Sequence, residues 1–298
     1  MILISGNTGF VGNCLWNFLN GLHYKTIALQ TRNSKWKQNL NKNAKIIIHL
    51  AGKAHDFKNV SSPSEYYKVN TNLTKEVFNA FLVSNAKVFI TLSSVKAVAD
   101  VVDEELTEEE QPNPVTHYGK SKLLAEQYIF SKEIPLGKRV YVLRPCLIHG
   151  LGNKGNLNLL FKIVSKNIPW PLGAFENKRS FCSIDNLMFI FRELIEREDI
   201  PSGIYNVADD EPLSTNELIS LIAQSQNRKP NLWKFSKGFI EFVASIGETL
   251  HLPLNTERLK KLTSSYVVSN AKIMLAIGKP LPVSSRDGLL KTFSSFNP

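Results

Sequence analysis

Short apolar runs alternate along the chain with longer segments in which apolar residues recur every three or four positions. The predicted strands cover residues 2–4, 26–29, 45–50, 88–94 and 140–145. Apolar runs of this length are typical of strands buried on both faces of a parallel sheet, and the helical spacing between them indicates helices that cover it. The pattern therefore predicts the α/β class, with a doubly wound parallel sheet.

A glycine-rich turn separates the first predicted strand from the first helical segment. It contains Gly6, Gly9 and Gly12, with Phe10 and Val11 between the last two glycines. Glycines three apart at such a junction let the backbone approach a pyrophosphate, while the helix N-terminus directs its N–H groups at the anion. Its position between strand and helix favours a Rossmann-type dinucleotide-binding turn over a plain tight turn.

The residues after the second strand bear on which dinucleotide binds. In this fold an acidic residue there holds the ribose 2′-hydroxyl of NAD, whereas an Arg accommodates the 2′-phosphate of NADP. The chain has Arg32 and no carboxylate, which favours NADP somewhat, although an Arg that only faces solvent is nearly as good an interpretation. Residues 33–44 leave hardly any room for the extra strand and helix usually found here. We therefore expect the adenine side of the cofactor pocket to be open.

The third strand ends in Leu50, Ala51 and Gly52, where a chain reversal over a cofactor needs small residues. His49 and His55 lie beside this reversal. Both are candidate ligands, but a histidine at a strand end is more often a hydrogen-bonded polar group. We therefore predict no metal site here.

Three side chains carry the candidate chemistry. Tyr118 and Lys122 are four residues apart in a helical segment, which puts them on the same helix face. A phenol with a pKa of about 10 is a poor base at neutral pH, and a neighbouring ammonium favours its phenolate. Ser93 and Ser94 end the fourth strand, and ligands of such sheets bind at the carboxyl ends of strands. A solvated helix face and a capping serine are the alternatives.

Composition narrows the class of protein. The net charge of +10 suits an anionic ligand, but the positive charges are partly local and no basic stripe alternates with aromatic residues, so we predict no nucleic-acid partner. The three cysteines, Cys14, Cys146 and Cys182, lie far apart, which indicates reduced thiols and no metal. Without an apparent leader or a membrane-spanning run, the chain is predicted to be cytoplasmic.

From Gly150 the composition becomes richer in Gly, Asn and Pro, which indicates a boundary. We predict a dinucleotide-binding domain over residues 1–150 and a smaller substrate-binding lobe over residues 151–298, with some elements returning to the sheet. Residues 238–250 are apolar with two acids. They would pack against the lobe or, as the weaker alternative, contact a membrane or partner.

Taken together and in this order, the motifs resemble the extended short-chain dehydrogenase/reductase family. They are Gly6-x-x-Gly9-x-x-Gly12, His49-Leu50-Ala51-Gly52, Ser93-Ser94, Tyr118-x-x-x-Lys122 and Arg144-Pro145. The later segments Lys154-Gly155-Asn156, Trp170-Pro171-Leu172-Gly173, Arg179-Ser180-Phe181 and Leu262-Thr263-Ser264-Ser265 resemble its bacterial nucleotide-sugar epimerase branch. That branch includes UDP-glucose and UDP-N-acetylglucosamine 4-epimerases and 4-keto-sugar reductases of surface-polysaccharide synthesis.

The resemblance implies a role for each matching residue. Tyr118 would be the acid/base, Lys122 would lower its pKa and hold the nicotinamide ribose, and Ser94 would bond the oxygen at the reacting sugar carbon. Ser93 and Asn70 would contact the cofactor, NAD or NADP. The diphosphate of a nucleotide sugar would be bound in the lobe by Asn156 and Arg179, with Arg258 as a third contact.

Three functions stay open: the resemblance implies the first, Arg32 favours the second, and the short segment over residues 33–44 suggests the third. The first is a nucleotide-sugar 4-epimerase, the second an NADPH-dependent reductase of a 4-keto-6-deoxy sugar nucleotide, and the third a non-catalytic nucleotide-sugar sensor. A 4,6-dehydratase is excluded, because Ser94-Val95-Lys96 stand where those enzymes carry Thr-Asp-Glu. The family also allows a homodimer.

Overall fold

The structure, a computed structural model, describes residues 1–33, 35–38, 40, 43–53, 62–153, 156–249 and 255–296. The strands in chain order are β1 Ile2–Ser5, β2 Thr26–Ala28, β3 Ile46–His49, β4 Val88–Leu92, β5 Glu105–Leu106, β6 Arg139–Pro145, β7 Leu147–His149, β8 Phe181–Ser183, β9 Gly203–Val207 and β10 Val267–Val268. Within the described residues, six of them form one sheet in the order β2-β1-β3-β4-β6-β9. Every neighbouring pair in it is parallel.

Helices cover both faces of this sheet and build the second lobe. They are α1 Phe10–Gly21, α2 Pro63–Tyr66, α3 Leu73–Leu82, α4 His117–Phe130, α5 Asn156–Ser165, α6 Ile184–Glu196, α7 Thr215–Ser225, α8 Lys237–Thr249, α9 Thr256–Thr263, α10 Ala271–Ile277 and α11 Ser285–Ser294. A π-helical stretch over residues 67–72 joins α2 to α3, and a 3-10 turn over residues 95–97 follows β4.

Alternation along the strands assigns the two faces of the sheet. Ile2 and Ile4 of β1 belong to one core, which also contains buried residues of α1, α6 and α10. Leu3 belongs to the other, where the phenylalanines of α3 and Ile129 of α4 pack. Successive side chains of a strand point to opposite faces, so a continuously apolar strand needs helices on both sides. The predicted doubly wound α/β fold of the Rossmann type is confirmed.

The segment beyond residue 150 contributes to both parts of the molecule. It supplies β9 at one edge of the sheet, and α6 and α10 to one of its faces. The other helices of this segment build two further cores, one between α5, α7 and α11 and one beneath α8 and α9. The division at residue 150 stays a prediction.

The second strand lies at the other edge of the sheet. The described residues between β2 and β3 form turns and carry no helix or strand. Trp36 from this segment is buried in the core on the α3 side. The described part of this segment therefore adds neither a strand nor a helix at that edge of the sheet.

Candidate active site

The glycine turn is shaped by two close backbone approaches. Gly6 has φ +72°, and a Cβ there would lie 2.5 Å from the amide nitrogen of Ala51. A Cβ on Gly12 would lie 2.1 Å from the carbonyl oxygen of Gly6. Both positions therefore need glycine, the first to let β1 turn against the chain leaving β3 and the second to let α1 start close to the turn.

The N-terminus of α1 suits an anion. Gly9 is the N-cap, and neither a capping side chain nor an acidic residue occupies the first turn. Phe10 and Val11 follow, so their amides belong to the helix end that binds phosphates in dinucleotide folds. Arg32 is exposed on the turn after β2.

The chain leaving β3 is held close to α4. Gly52 is placed so that a Cβ would lie 3.2 Å from both the Oδ1 of Asn70 and the Nζ of Lys122. Asn70 is buried in the π-helical stretch, accepts a hydrogen bond from the amide of Lys53 at 2.8 Å and donates one to the Oγ of Ser121 at 3.0 Å. Asn70 thus ties the chain after β3 to α4, which is a positioning role.

Tyr118 is brought to Ser94 by a glycine on α4. Thr116 caps the helix by accepting from the amide of Gly119 at 3.1 Å. A Cβ on Gly119 would lie only 2.2 Å from the carbonyl oxygen of Lys96, so α4 packs directly on the turn that follows Ser94. The side chain of Ser94 comes close enough to Tyr118 there to lower the pKa of its phenol.

The pKa of Tyr118 differs from the expectation. Burial raises it above its ordinary value, and the Ser94 side chain lowers it by less than burial raises it. The ammonium of Lys122 donates to the carbonyl oxygen of Leu92 at 2.9 Å. The predicted lowering of the Tyr118 pKa by Lys122 is therefore not seen, because burial dominates and Lys122 is engaged with the end of β4.

Lys122 is a half-buried cation one helical turn from a buried ion pair. Burial lowers its pKa to about 8, against a smaller upward effect of Glu126 one turn further along α4. Glu126 is held by Arg144 of β6, with Nη2 to Oε2 at 2.6 Å and Nε to Oε1 at 3.0 Å. Sequence reasoning missed this pair, because Glu126 and Arg144 meet only once α4 packs on β6.

Ser93 is buried at the end of β4, and its hydroxyl has no hydrogen-bond partner among the described residues. A buried hydroxyl normally has one. Together with the glycine turn, this unpartnered group fits a site in which a dinucleotide supplies the missing contact.

His49 is a hydrogen-bonded polar group, as the sequence favoured. Its Nδ1 lies 2.7 Å from the Oγ of Ser5 and its Nε2 lies 3.0 Å from the Oγ1 of Thr74. Burial lowers its pKa to about 3, so the ring is neutral. His55 lies outside the described residues. Among those described, no group of three or more His, Cys, Asp or Glu side chains is placed to hold a metal ion.

In the lobe, Arg179 is half-buried and its guanidinium contacts the start of the segment after α9. Its Nε donates to the carbonyl oxygen of Ser264 at 3.1 Å, and burial lowers its pKa. Arg258 is exposed on α9. Asn156 begins α5, and its side chain lies outside the described set, as do Lys154 and Gly155.

A second cation stands close to Arg179. The Nζ of Lys96 lies 4.0 Å from the ring centroid of Tyr266 and donates to the carbonyl oxygen of Asp100 at 2.9 Å. Burial lowers the pKa of Lys96, and the positive charge of Arg179 lowers it further while Asp100 raises it. Lys96 follows Ser94 by two residues, so these charges lie on the Ser94 side of the lobe. The sequence signal for this cation was Lys96 itself, which stands where dehydratases carry an acid.

Comparison with known proteins gives the family. The profile of the NAD dependent epimerase/dehydratase family matches residues 2–208. The chain is 30% identical over 244 residues to UDP-glucose 4-epimerase of Vibrio cholerae, covering 74% of each chain. It is 30% identical over 185 residues to N-acetyl-alpha-D-glucosaminyl-diphospho-ditrans,octacis-undecaprenol 4-epimerase of Escherichia coli O157:H7, covering 61% of this chain and 55% of that one.

A reductase and a solved structure are similar as well. GDP-6-deoxy-D-mannose reductase of Pseudomonas aeruginosa is 23% identical over 246 residues, which is 74% of this chain and 79% of that one. The structure of UDP-N-acetylglucosamine 4-epimerase from Bacillus cereus superposes with a TM-score of 0.76 at 19% identity, over 98% of this chain and 97% of that one. The protein therefore belongs to the NAD dependent epimerase/dehydratase family.

Proposed function

We propose that the protein is an NAD(P)-dependent nucleotide-sugar 4-epimerase of the UDP-glucose or UDP-N-acetylglucosamine type, acting in the supply of surface-polysaccharide precursors. The observation that carries the proposal is the approach of Ser94 and Tyr118 at the carboxyl edge of the sheet, where α4 packs on the turn after Ser94, with Lys122 one helical turn further on. The similarity to the Vibrio cholerae enzyme supports the reaction type.

The dinucleotide would be held by the turn at Gly6, Gly9 and Gly12, by the chain at Leu50–Gly52 and by the hydroxyl of Ser93. The helix N-terminus beyond Gly9 would take its pyrophosphate. When bound, its nicotinamide would accept a hydride from the sugar and return it. Arg32, beside β2, would approach the adenosine ribose.

The protein side chains would remove the proton from the sugar C4 oxygen and later return it. Tyr118 as phenolate would take the proton of the C4 hydroxyl and later give it back, which is general acid/base catalysis. Ser94 would bond the same oxygen and orient it, and the ammonium of Lys122 would stabilise the phenolate. Because burial raises the pKa of Tyr118, the active enzyme needs that cation to act on the phenol.

The lobe would bind the diphosphate. Arg179 presents a planar fork suited to two phosphate oxygens, with Asn156 and Arg258 as further contacts carried over from the family. Lys96 adds a second half-buried cation near Arg179. Two like charges held this close favour an anionic ligand. A diphosphate joined to the sugar is also named for the substrate of the Escherichia coli relative.

A one-way reductase of a 4-keto-6-deoxy sugar nucleotide is the alternative. It is favoured by Arg32 and by the similarity to the Pseudomonas aeruginosa reductase. An epimerase recycles its dinucleotide and should retain it, whereas a reductase must release it. We expect denaturation of the purified protein to release a tightly retained dinucleotide. An empty site together with steady NADPH consumption on a 4-keto substrate would contradict the epimerase.

A further inference from the structure

Glu126 lies one helical turn beyond Lys122 on α4 and belongs to a buried ion pair. Its side chain is 3% exposed, and that of its partner Arg144 is 4% exposed. Arg144 binds both carboxylate oxygens, with Nη2 to Oε2 at 2.6 Å and Nε to Oε1 at 3.0 Å. Two hydrogen bonds from a planar guanidinium fix the orientation of a carboxylate. The negative charge of Glu126 is therefore held in one place by β6.

Lys122 and Glu126 also line the same cavity. It has a volume of about 10 Å³, and its other polar residues include Asn70 and Ser93. Residues four apart on a helix have Cβ atoms about 5–6 Å apart. The ammonium of Lys122 and the carboxylate of Glu126 thus border one small space near the end of β4, so their charges act on one another at short range.

The other groups that face Lys122 supply no negative charge. The ring of His49 at the end of β3 is neutral, because burial lowers its pKa to about 3. The phenol of Tyr118 is neutral at pH 7 in the protein alone, because burial raises its pKa. Asn70, on the π-helical stretch that packs against α4, carries no charge. Among the described residues that line the cavity, Glu126 has the only carboxylate.

Lys122 needs this carboxylate because burial disfavours the charge of its ammonium. Burial lowers its pKa to about 8, and Glu126 acts in the opposite direction. Without Glu126 the pKa of Lys122 would fall further, so a larger share of this side chain would be neutral amine at neutral pH. A neutral amine could not stabilise the phenolate of Tyr118 that the proposed reaction needs.

We propose that Glu126 is a positioning residue that keeps Lys122 in its ammonium form at neutral pH, with Arg144 holding the carboxylate in place. Glu126 would act through Lys122 and touch neither the sugar nor the dinucleotide. The catalytic consequence rests on the proposed function. The charge state of Lys122 does not, because it can be measured without any turnover.

Urea unfolding tests the effect on the charge of Lys122. The substitution Lys122→Met is made in the wild type and in the double variant Glu126→Gln/Arg144→Met, which leaves neither partner of the ion pair buried alone. In the wild type, the difference in the free energy of unfolding caused by Lys122→Met should begin to fade near pH 8. In the double variant it should begin to fade about 1 pH unit lower. Glu126→Gln alone should give at least the same shift, because the unpaired charge of Arg144 would lower the pKa of Lys122 further.

Glu193→Gln is the matched control. Glu193 of α6 is also a buried carboxylate, 5% exposed, and pairs with Lys279 at 2.8 Å. The control should lose stability, but its Lys122→Met difference should still fade near pH 8. In turnover of a UDP-sugar, the fall of kcat on the alkaline side should move to lower pH in the Glu126 variants and stay in place in Glu193→Gln. A merely structural role of Glu126 would lower stability without moving either pH dependence.

The proposal is wrong if the Glu126 variants keep the wild-type pH dependence in urea unfolding, or if Glu193→Gln shifts it equally. It is also wrong if the variants are active and the alkaline fall of kcat does not move. A shift in unfolding without any turnover by the wild type would overturn the proposed function, while supporting the effect of Glu126 on Lys122.

Discussion

Replacing Lys122 by Met should stabilise the protein at neutral pH while abolishing turnover. Methionine keeps the length of the side chain and removes a charge that burial disfavours. The pKa of Lys122 lies at about 8 instead of 10.5, and at 1.36 kcal/mol per pKa unit this difference is about 3 kcal/mol. Loss of the hydrogen bond to the Leu92 carbonyl, worth about 2 kcal/mol for a charged donor, leaves an expected net gain of about 1 kcal/mol.

The pH dependence of the free energy of unfolding separates the effect of the Lys122 charge from the effect of side-chain packing. Below pH 8 the lysine is charged in the folded and unfolded states, so the cost of burying it is fully present. Between about 8 and 10.5 the folded protein releases this proton first, so the unfolded state binds more protons and wild-type stability rises with pH relative to the variant. Above 10.5 both states are neutral and the cost is gone.

Urea unfolding of both proteins, without added dinucleotide, gives the difference in the free energy of unfolding at each pH. We expect the free energy of unfolding of the Met variant to exceed that of the wild type by about 1 kcal/mol below pH 8, and this difference should disappear as pH rises toward 10.5. A difference that stays constant over this range would refute the assignment of Lys122 as a half-buried, destabilising cation.

Three further substitutions test the site. Gly119→Ala puts a Cβ 2.2 Å from the carbonyl oxygen of Lys96. We therefore expect the free energy of unfolding in urea to fall by about 1–3 kcal/mol and kcat to fall as well. Unchanged values would contradict the close packing of α4. Glu126→Gln leaves buried Arg144 unpaired and should cost about 3–5 kcal/mol by the same assay, and a loss near zero would refute the buried pair. Arg179→Lys should weaken UDP-sugar binding in calorimetry by about 1–3 kcal/mol and leave dinucleotide affinity unchanged, whereas equal losses for both ligands would exclude a diphosphate contact.

The sequence predicted the parts of the fold that depend on local pattern. Continuous apolar runs identified the strands of the parallel sheet, and the spacing of Tyr118 and Lys122 placed them on one helix face, as found. The position of Ser94 at a strand end also predicted that it would lie at the carboxyl edge of the sheet. These features follow from periodicity and from the geometry of parallel sheets, which a single sequence carries.

Contacts between segments that are far apart in the chain could not be predicted from the sequence. The bond from Asn70 to Ser121 joins residues that are far apart in the chain, and Lys96 approaches Arg179 only because the lobe folds back over the sheet. Burial also reversed one expectation, since the pKa of Tyr118 depends on the apolar surroundings that packing creates. Within residues 238–250, Ile240 and Ala244 pack against the lobe as predicted, whereas Phe239 and Phe242 are exposed, which the apolar composition of the helix could not distinguish. Among the described residues, no helix is long and apolar enough to cross a bilayer.

The most direct test of the proposed reaction is product analysis by proton NMR with no added reductant. With NAD supplied, UDP-glucose or UDP-N-acetylglucosamine should be converted to a mixture with its C4 epimer, and the same mixture should form from either epimer. Tyr118→Phe should abolish this while retaining the dinucleotide. Failure of the wild type to epimerise either sugar nucleotide, or near wild-type turnover by Tyr118→Phe, would contradict the account.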